Sequence, residues 1–510
     1  MPGVEIKSVV IVGGGTAGWM TAAAIAKVMG PRLSVTVVES DEIGIVGVGE
    51  ATIPAINLFN QMLRLDEDDF LRHTQGTFKL GIEFVNWYER GHAYMHSFGT
   101  IGKDLAYIPF HNYWLHEQLL GRGGSLWDFS IDYQAARQNR FARLAQIEGT
   151  SLPGLIYAFH FDASLYAAYL RRFSQQLGVR RIEGMVVDVL LDPEGGDVKT
   201  LRLKDGREIS GELFIDCSGF RGLLIEQALK TGYEDWHHWL PCDRALAVPS
   251  ERVSPLTPYT RSTAQDAGWQ WRIPLQHRTG NGHVYSSAHM SDERAQELLL
   301  QNLDSRPLAE PRSIRFRTGR RRLLWNRNVV CLGLASGFLE PLESTAIHLI
   351  QAAIQRLILL FPNRGDNTRR RDEFNRSLTG EYEYVRDFII LHYYANNRVG
   401  EGFWDDCRYM SVPDSLTHKI ELFRETGGIF CPAQDLFQLP SWLQVMWGQG
   451  IKPRAAHPFV EAVAPGDRAD YLKGIRALIA DAAGKLPLHE DFIARHCLSP
   501  AAVAPAVRTS

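Results

Sequence analysis

The sequence predicts an α/β fold in which a parallel sheet carries a nucleotide-binding turn, followed by a mostly helical C-terminal lobe. A strand, a glycine turn and an alanine-rich helix open the chain, between about Lys7 and Ala26. Two later buried strands, ending near Asp216 and Cys331, are again followed by glycines. From about Arg369 onward the pattern is mainly helical. Strands separated by helices in this way favour a parallel sheet with helices against its faces.

The N-terminal glycine turn has the spacing of a dinucleotide site. Gly13-x-Gly15-x-x-Gly18 joins an apolar strand to a helix that is predicted to begin near Thr16. Gly13 allows a tight turn, Gly15 lets a pyrophosphate approach the backbone, and Gly18 lets the helix pack closely on the strand. The second strand ends at Glu39, at about the distance expected for an acid that binds a ribose hydroxyl. These features together favour dinucleotide binding over a merely structural turn.

The segments that would complete this nucleotide fold are separated along the chain, and a helix is expected from Ala158 to Leu177. We predict an FAD-binding module over residues 1-362, built from about 1-55, 156-235 and 265-362, with an aromatic-rich substrate region inserted at about 56-155. Residues 363-510 are predicted to form a mainly helical lobe that closes the substrate site. An NAD dehydrogenase normally completes its nucleotide-binding halves contiguously, so FAD is preferred. The predicted fold is therefore Rossmann-like and of the flavin monooxygenase type.

Composition and charge exclude several classes of function. The 510-residue chain has a formal net charge of −3, which provides no general attraction to nucleic acid or anionic membranes. No run of about 18 apolar residues predicts a membrane span, and the N-terminus lacks a secretory pattern. Six scattered cysteines without a Cys-x-x-Cys pair indicate reduced thiols in the cytoplasm and no metal site. The Arg320-Arg321-Arg322 run is expected to be a solvated strand end.

Three further positions could carry chemistry. Ser344 and Thr345 precede a strongly apolar helix predicted from Ala346 to Phe361, where they could be ordinary helix caps or a small anion site. Glu343 could stabilise the helix dipole or act as a general base beside a cofactor. Lys79 lies among apolar residues; a lone lysine is usually solvated, but a buried one could donate a hydrogen bond or act as a nucleophile.

The combination of these motifs resembles the flavin-dependent tryptophan halogenases over essentially the whole chain. The matching segments are Gly13-x-Gly15-x-x-Gly18-Trp19, Gly47-Val-Gly49-Glu50-Ala51-Thr as a strap over the flavin, Phe78-Lys79-Leu-Gly81, Gly268-Trp269-x-Trp271-x-Ile-Pro274, and Pro341-Leu-Glu343-Ser344-Thr345. No single segment would suffice, but all of them occur in the family's order.

The resemblance implies a reaction and a role for each matching residue. FAD, used as FADH2, and O2 would convert chloride or bromide into hypohalous acid, which a tunnel leads to Lys79. Lys79 and Glu343 would be catalytic, and Trp269 and Trp271 would keep the substrate away from the flavin. The FAD site would comprise Gly13, Gly15, Thr16, Ala17, Gly18, Glu39, Gly49, Ala51, Leu334 and Gly337, and the halide site Ser344, Thr345 and Ala346. A separate flavin reductase would supply FADH2, because the chain shows no second nucleotide fingerprint.

The resemblance is weaker at the substrate end. The residues that match an indole site are Ile82, His96, Phe98, Phe403 and Trp404. Tryptophan halogenases carry a glutamate four residues before the phenylalanine, whereas Val399 stands there in this chain, and Glu401 is nearby. We therefore expect indole or another indole-bearing molecule as the substrate, with free tryptophan as an alternative.

Two other functions share part of these features. A flavin monooxygenase that hydroxylates an aromatic ring would need the FAD segments, but it would not need Lys79 together with Glu343. A flavin-binding protein without turnover would need neither residue. The sequence also leaves open whether the chain forms a homodimer.

Overall fold

The computed structural model describes residues 5–43, 49–105 and 107–500, which divide into two compact units. The first unit comprises Met1–Gln75, Phe161–His238 and Arg315–Glu383; the second comprises Gly76–His160, Trp239–Ile314 and Tyr384–Ser510. Within the described ranges, no helix is both long and apolar enough to cross a membrane.

Short strands make up the sheets of both units. They are β1 (Ser8–Val12), β2 (Ser34–Glu39), β3 (Gly49–Ala51), β4 (Thr77–Lys79), β5 (Gly81–Val85), β6 (Ala93–Ser97), β7 (Ala158–Asp162), β8 (Arg180–Glu183), β9 (Val186–Leu191), β10 (Val198–Leu203), β11 (Glu208–Ser210), β12 (Leu213–Asp216), β13 (Tyr233–Asp235), β14 (Arg244–Glu251), β15 (Thr260–Gln265), β16 (Gly268–Pro274), β17 (Arg278–Tyr285), β18 (Arg312–Arg315), β19 (Gly319–Arg321), β20 (Trp325–Asn326), β21 (Val329–Cys331) and β22 (Gly337–Phe338).

The α-helices are concentrated at the start of the chain and in its C-terminal third. They are α1 (Thr16–Met29), α2 (Ala55–Leu63), α3 (Glu67–Thr74), α4 (Phe110–Leu119), α5 (Ile131–Arg137), α6 (Ala163–Gln176), α7 (Asp292–Gln301), α8 (Ala346–Leu359), α9 (Thr368–Tyr394), α10 (Gly402–Tyr409), α11 (Asp414–Thr426), α12 (Leu439–Gly448), α13 (Pro465–Lys485) and α14 (His489–His496). The predicted helical C-terminal region is therefore confirmed.

The first unit is built on a sheet with the strand order β20-β21-β12-β1-β2-β8, in which all neighbours but β20 and β21 run parallel. Apolar side chains of β1 are buried because helices α1, α6 and α8 belong to the same packed unit. The carboxyl ends of the parallel strands meet at one edge, where ligands bind in sheets of this kind. The predicted α/β class and the strand–turn–helix start are confirmed.

One expected helix is wrong at its beginning. Residues Ala158–Asp162 form strand β7, which pairs with β4, and the helix starts only at Ala163. The Asp162 side chain accepts hydrogen bonds from the backbone N–H groups of Ser164 and Leu165 and so caps the helix. The cap and the cross-strand pairing outweigh the local helical pattern.

The second unit contains a sheet with the order β18-β14-β17-β16-β15-β5-β6. Strands β15 and β5 are parallel, whereas β14 and β17, β17 and β16, β16 and β15, and β5 and β6 form antiparallel pairs. The predicted tryptophan strand is β16, confirmed with the bounds Gly268–Pro274. The sheet places this strand two positions from β5, which follows directly after the strand that ends at Lys79.

Candidate active site

The glycine turn after β1 has the shape that its spacing predicts. Gly13 has a φ of +113°, and a β-carbon there would lie 2.2 Å from the Cys217 carbonyl oxygen. A β-carbon at Gly18 would lie 1.9 Å from the Gly13 carbonyl oxygen, whereas one at Gly15 would meet nothing within 4 Å. The chain is therefore closely packed at Gly13 and Gly18 and open at Gly15. That open space fits a pyrophosphate beside the start of α1.

A second glycine turn lies against the start of α1. Leu334 belongs to the turn Gly333–Ala335, and Gly333 comes so close to α1 that its β-carbon would lie 2.8 Å from the Ala17 side chain. Thr16 is the first residue of α1, and Gly15, its N-cap, provides no capping side chain. The backbone N–H groups of the first turn of α1 thus remain available for an anion. The sheet brings these two sequence-distant turns together.

Glu39 lies at the carboxyl end of β2, as predicted, but its carboxylate already accepts two hydrogen bonds. The Trp19 indole Nε1–H donates to Glu39 Oε2 at 3.2 Å, and Arg181 Nε donates to Oε1. Sequence reasoning missed both partners. The position of Trp19, one residue after the last glycine of the turn, is a signal that could have indicated the first. The two donors hold the carboxylate in place while each oxygen keeps an acceptor site.

The expectation of a solvated Arg320–Arg322 run is wrong for two of its three residues. Arg320 and Arg321 are buried, because β19 pairs on both sides with β13 and β22, and only Arg322 is exposed. Arg321 Nε donates to the Ala335 carbonyl at 3.1 Å, and its Nη1 donates to Glu226 at 2.8 Å. Arg321 thereby fastens the turn that precedes Gly337.

The segment around Glu343 forms a compact turn at the start of α8. Pro341–Glu343 is a short 3₁₀ turn, Ser344 has a φ of +60°, and Thr345 is the N-cap of a helix that begins at Ala346. The Glu343 side chain is buried. The buried Thr345 hydroxyl makes no hydrogen bond to any described residue and does not cap the helix. The first-turn N–H groups of α8 therefore lack a side-chain cap, which fits a small anion.

An ion-paired group that sequence reasoning missed lies one turn further along α8. His348 Nε2 is 2.8 Å from Glu381 Oε1, and Arg356 donates to Glu381 Oε2 at 2.7 Å. Burial alone would raise the pKa of Glu381, but the His348 hydrogen bond and the Arg356 charge hold that pKa below its usual value. These contacts fasten α8 to α9 within the first unit.

Lys79, in the second unit, is fully buried at the end of β4, opposite Ala158 of β7. Its ammonium lies 5.3 Å from the centroid of the Phe98 ring, within cation–π range. The Phe98 N–H also donates to the Leu80 carbonyl at 2.8 Å. The usual expectation of a solvated lysine therefore fails here, and the structure brings Lys79 and Phe98 together.

Ile82 and His96 face each other across β5 and β6. Both are buried, and the His96 ring lies 5.6 Å from the Phe388 ring and 6.1 Å from the Phe437 ring, measured between centroids. Because Ile82 follows Lys79 by three residues and Phe98 follows His96 by two, these four predicted residues occupy one region of the second unit.

The tryptophan strand and helix α10 meet at a second aromatic cluster. Trp269 and Trp404 each lie beside Trp87, at centroid distances of 6.3 Å and 5.4 Å. Trp404 has no solvent exposure: it stacks on Tyr393 and its Nε1–H donates to the Gln265 carbonyl at 2.8 Å. Phe403 packs edge-on against Trp404.

Trp271 differs from Trp269 in being only half-buried. Its ring lies over the backbone of β17, so that a β-carbon at Gly282 would come within 2.0 Å of it. The glycine in the neighbouring strand therefore provides the space that the Trp271 ring occupies. Gly49 and Ala51 of the predicted strap lie in β3, while residues 44–48, including Gly47, are outside the described residues.

Glu401 lies directly before α10 and is held by two guanidinium groups. Arg398 donates from Nε to Oε1 at 3.2 Å and from Nη2 to Oε2 at 2.5 Å; Arg90 repeats the pattern at 3.1 Å and 2.8 Å. Val399, four residues before Phe403, is 75% exposed. Each carboxylate oxygen thus accepts two charge-assisted hydrogen bonds, which uses its ordinary lone-pair capacity.

Comparison with known proteins indicates the family of this chain. The family model described as tryptophan halogenase matches residues 8–465. The 7-chloro-L-tryptophan 6-halogenase KtzR of Kutzneria sp. (strain 744) is 35% identical over 95% of this chain and 99% of its own length. Two solved structures are 47% identical to this chain: Xcc4156, a flavin-dependent halogenase from Xanthomonas campestris (TM-score 0.94, covering 98% of this chain and 100% of that one), and BrvH, a flavin-dependent halogenase from Brevundimonas sp. BAL3 (TM-score 0.92, 96% and 99%).

A match of this length, with the same fold from end to end, shows the family. The two glycine turns, the helix start at Ala346 and the buried Lys79 lie on a scaffold that these halogenases share. The chain belongs to the tryptophan halogenase family and is a flavin-dependent halogenase.

Proposed function

We propose that this enzyme uses FADH2, O2 and a halide to halogenate the aromatic ring of indole or of an indole-bearing molecule without a free amino-acid group. The observation that carries the substrate assignment is the double guanidinium contact to Glu401, together with the exposure of Val399. The ammonium group of an amino-acid substrate would find no carboxylate at Val399 and only an already occupied one at Glu401.

The first unit would hold the cofactor and the halide. Gly13, Gly15, Thr16, Ala17 and Gly18 would receive the pyrophosphate, and Glu39 the ribose. Gly49, Ala51, Leu334 and Gly337 would border the flavin ring. Bound FADH2 would supply the electrons that reduce O2. The reduced oxygen species would in turn oxidise a halide to hypohalous acid. The uncapped N–H groups near Ser344, Thr345 and Ala346 support a halide at that helix start.

The second unit would carry out the halogenation. Lys79 would direct the electrophilic halogen by donating a hydrogen bond or forming a haloamine, with Ile82, His96 and Phe98 positioning the indole beside it. Phe403 and Trp404 would border the same substrate. Trp269 and Trp271 would keep the arene away from the flavin. The resemblance further gives Glu343, a residue of the first unit, the role of stabilising the cationic ring intermediate or accepting its proton. A separate reductase would supply FADH2.

The decisive experiment supplies the purified enzyme with FAD, NADH, a flavin reductase and indole, with and without bromide or chloride. We expect a haloindole that requires halide. A hydroxylated product formed without halide would instead support an aromatic monooxygenase. No turnover with any indole would support a flavin-binding protein without catalysis.

The substrate assignment is tested separately by competition between indole and tryptophan. We expect indole to be halogenated in preference to tryptophan at equal concentrations. A clear preference for tryptophan would contradict the role given to Glu401 and leave the halogenase assignment intact.

A further inference from the structure

The strand that carries Lys79 is joined to the C-terminal end of the chain by a set of buried hydrogen bonds. Helix α14 begins at His489, which is buried although it is 411 positions from Phe78 in sequence. The His489 Nε2 accepts the backbone N–H of Phe78 at 3.2 Å, and its Nδ1 is 2.9 Å from the Leu256 carbonyl. One imidazole therefore bridges β4 and the segment before β15.

These partners determine the protonation state of His489. Because Nε2 accepts a hydrogen bond, it carries no proton, and Nδ1–H must be the donor to Leu256. Burial lowers the pKa of His489 to about 4, so the neutral ring is the form present at neutral pH. A protonated ring would carry a hydrogen on Nε2 as well. That N–H would face the N–H of Phe78, and the hydrogen bond would be lost.

A second connection lies at the other end of β4. The buried Gln276 side chain donates from Nε2 to the Gly76 carbonyl at 2.7 Å and to the Cys497 carbonyl at 3.1 Å. Its Oε1 accepts the Ser499 N–H at 2.7 Å. Gln276 thus joins the residue before β4 to the chain just after α14.

Aromatic packing around the Phe78 side chain adds to these hydrogen bonds. The Phe78 ring stacks on Phe141 at a centroid distance of 3.9 Å, and Phe492 of α14 contacts Phe78 edge-on at 5.5 Å. Neighbouring side chains of a strand point to opposite faces, so fixing Phe78 also fixes the direction of Lys79.

The opposite face of β4 is held by a second neutral histidine. The Thr77 hydroxyl donates its proton to the Pro274 carbonyl at 2.7 Å, so it must accept from His160 Nδ1 at 2.9 Å. His160 Nε2 then accepts from the Thr260 hydroxyl. Burial, together with the positive charge of Lys79, holds the pKa of His160 well below its usual value. Both faces of β4 are therefore fixed by groups that carry no charge.

We propose that the C-terminal segment His489–Ser499 is a clamp that sets the position of Lys79, with His489 and Gln276 as its positioning residues. This inference rests on the proposed catalytic role of Lys79. A displacement of about 1 Å at a reacting group can lower a rate about 100-fold. The clamp would thus affect the halogenation of substrate without affecting the formation of hypohalous acid.

The test compares His489→Leu, which removes both hydrogen bonds, with His489→Gln, whose amide can still donate and accept. His418→Leu is the control, because His418 is a solvent-exposed histidine on helix α11, outside the segment His489–Ser499. Gln276→Met provides an independent variant at the other end of β4. Three quantities are measured: amide hydrogen exchange of the segment 76–80, kcat and KM for indole bromination, and bromination of a small diketone scavenger in solution.

We expect His489→Leu and Gln276→Met to speed exchange in the segment 76–80 and to lower kcat for indole by about 10- to 100-fold, with KM within about threefold. Scavenger bromination and FAD binding should stay within about twofold of the wild type, since the reacting groups themselves are unchanged. His489→Gln should recover most of kcat, and His418→Leu should match the wild type.

Two results would overturn the clamp. One is an unchanged kcat in a His489→Leu enzyme whose segment 76–80 exchanges faster. The other is unchanged exchange in both His489→Leu and Gln276→Met. If the wild type itself halogenates no indole, the proposed function fails, whereas the exchange measurement still decides whether α14 holds the strand.

Discussion

The ammonium of Lys79 lies 5.3 Å from the centroid of the Phe98 ring, and the lysine has no exposed surface. A buried lysine is costly, because burial removes the hydration of its charge. Its contact with an aromatic ring offsets part of that cost. The pair therefore places a cation beside a predicted indole-binding residue.

Replacing Lys79 with methionine should remove halogenation and keep the flavin functions. We expect indole bromination to fall at least about 100-fold, because both forms of halogen activation proposed for Lys79 need its amine. FAD affinity, measured by fluorescence quenching, should stay within about twofold, since the substitution leaves every proposed FAD residue unchanged. The exposed Lys473→Met serves as the control. Substantial bromination by Lys79→Met would contradict the catalytic role.

Two glycine substitutions in the N-terminal turn should separate binding from folding. Gly15→Ala points its methyl group into open space, so the melting temperature should change little while FAD affinity falls at least about tenfold. Gly13→Ala should lower the free energy of unfolding by more than about 1 kcal/mol, because φ is +113° and the methyl group meets the Cys217 carbonyl.

Gly474→Ala, in helix α13, is the matched control for these two substitutions. No atom lies within 4 Å of its β-carbon position, so this change should leave FAD affinity unaltered and raise stability slightly. Thermal unfolding and FAD titration of the three variants provide the measurements. Wild-type FAD affinity in Gly15→Ala would show that the open space at the turn is not the pyrophosphate site.

Releasing Glu401 should change substrate preference. Arg90→Ala removes one of the two guanidinium groups that occupy the carboxylate, so two acceptor sites become available to a substrate ammonium. We expect the ratio of kcat/KM for tryptamine to that for indole to rise several-fold, with the value for indole itself nearly unchanged. Arg294→Ala, at an arginine outside the Glu401 contacts, is the control. An unchanged ratio would show that Glu401 lies out of the substrate's reach.

Stability should fall in mild acid because several histidines are buried in their neutral form, among them His489 and His283. Burial lowers the pKa of His489 and of His283 to about 4 each, against about 6.5 for an unperturbed histidine. Below pH 6.5 the unfolded chain therefore binds protons that the folded chain does not. The free energy of unfolding should decrease as the pH falls from about 6.5 to about 4, by at most about 1.4 kcal/mol per unit for each histidine.

Urea unfolding at pH 7, 6 and 5 measures this dependence. His489→Gln replaces one of these buried histidines, so its stability should depend less steeply on pH than that of the wild type. His418→Leu, which alters an exposed histidine on helix α11, should leave the slope unchanged. Equal slopes in His489→Gln and the wild type would show that this histidine is not held neutral.

The sequence predicts those parts of the fold that depend on interactions between residues close together in the chain. The strand–turn–helix from Ser8 to Met29 follows from apolar periodicity and glycine spacing, and the strand Gly268–Pro274 follows from its own alternation. Local patterns failed where partners decide the structure. Ala158–Asp162 reads as helical but pairs with the Lys79 strand, and Arg320 and Arg321 read as solvated but are buried by strands on both sides.

The sequence by itself determined the family, the dinucleotide turn and the identity of the residues that match the family's motifs. Only the tertiary structure decided that Lys79 is buried, that two arginines occupy Glu401, and that His489 holds the backbone of Phe78. Arg90 and Glu401 are 311 positions apart, and Phe78 and His489 are 411 apart. Such contacts form when the chain packs, because hydrogen bonds and ion pairs depend on distance in space rather than on spacing in sequence.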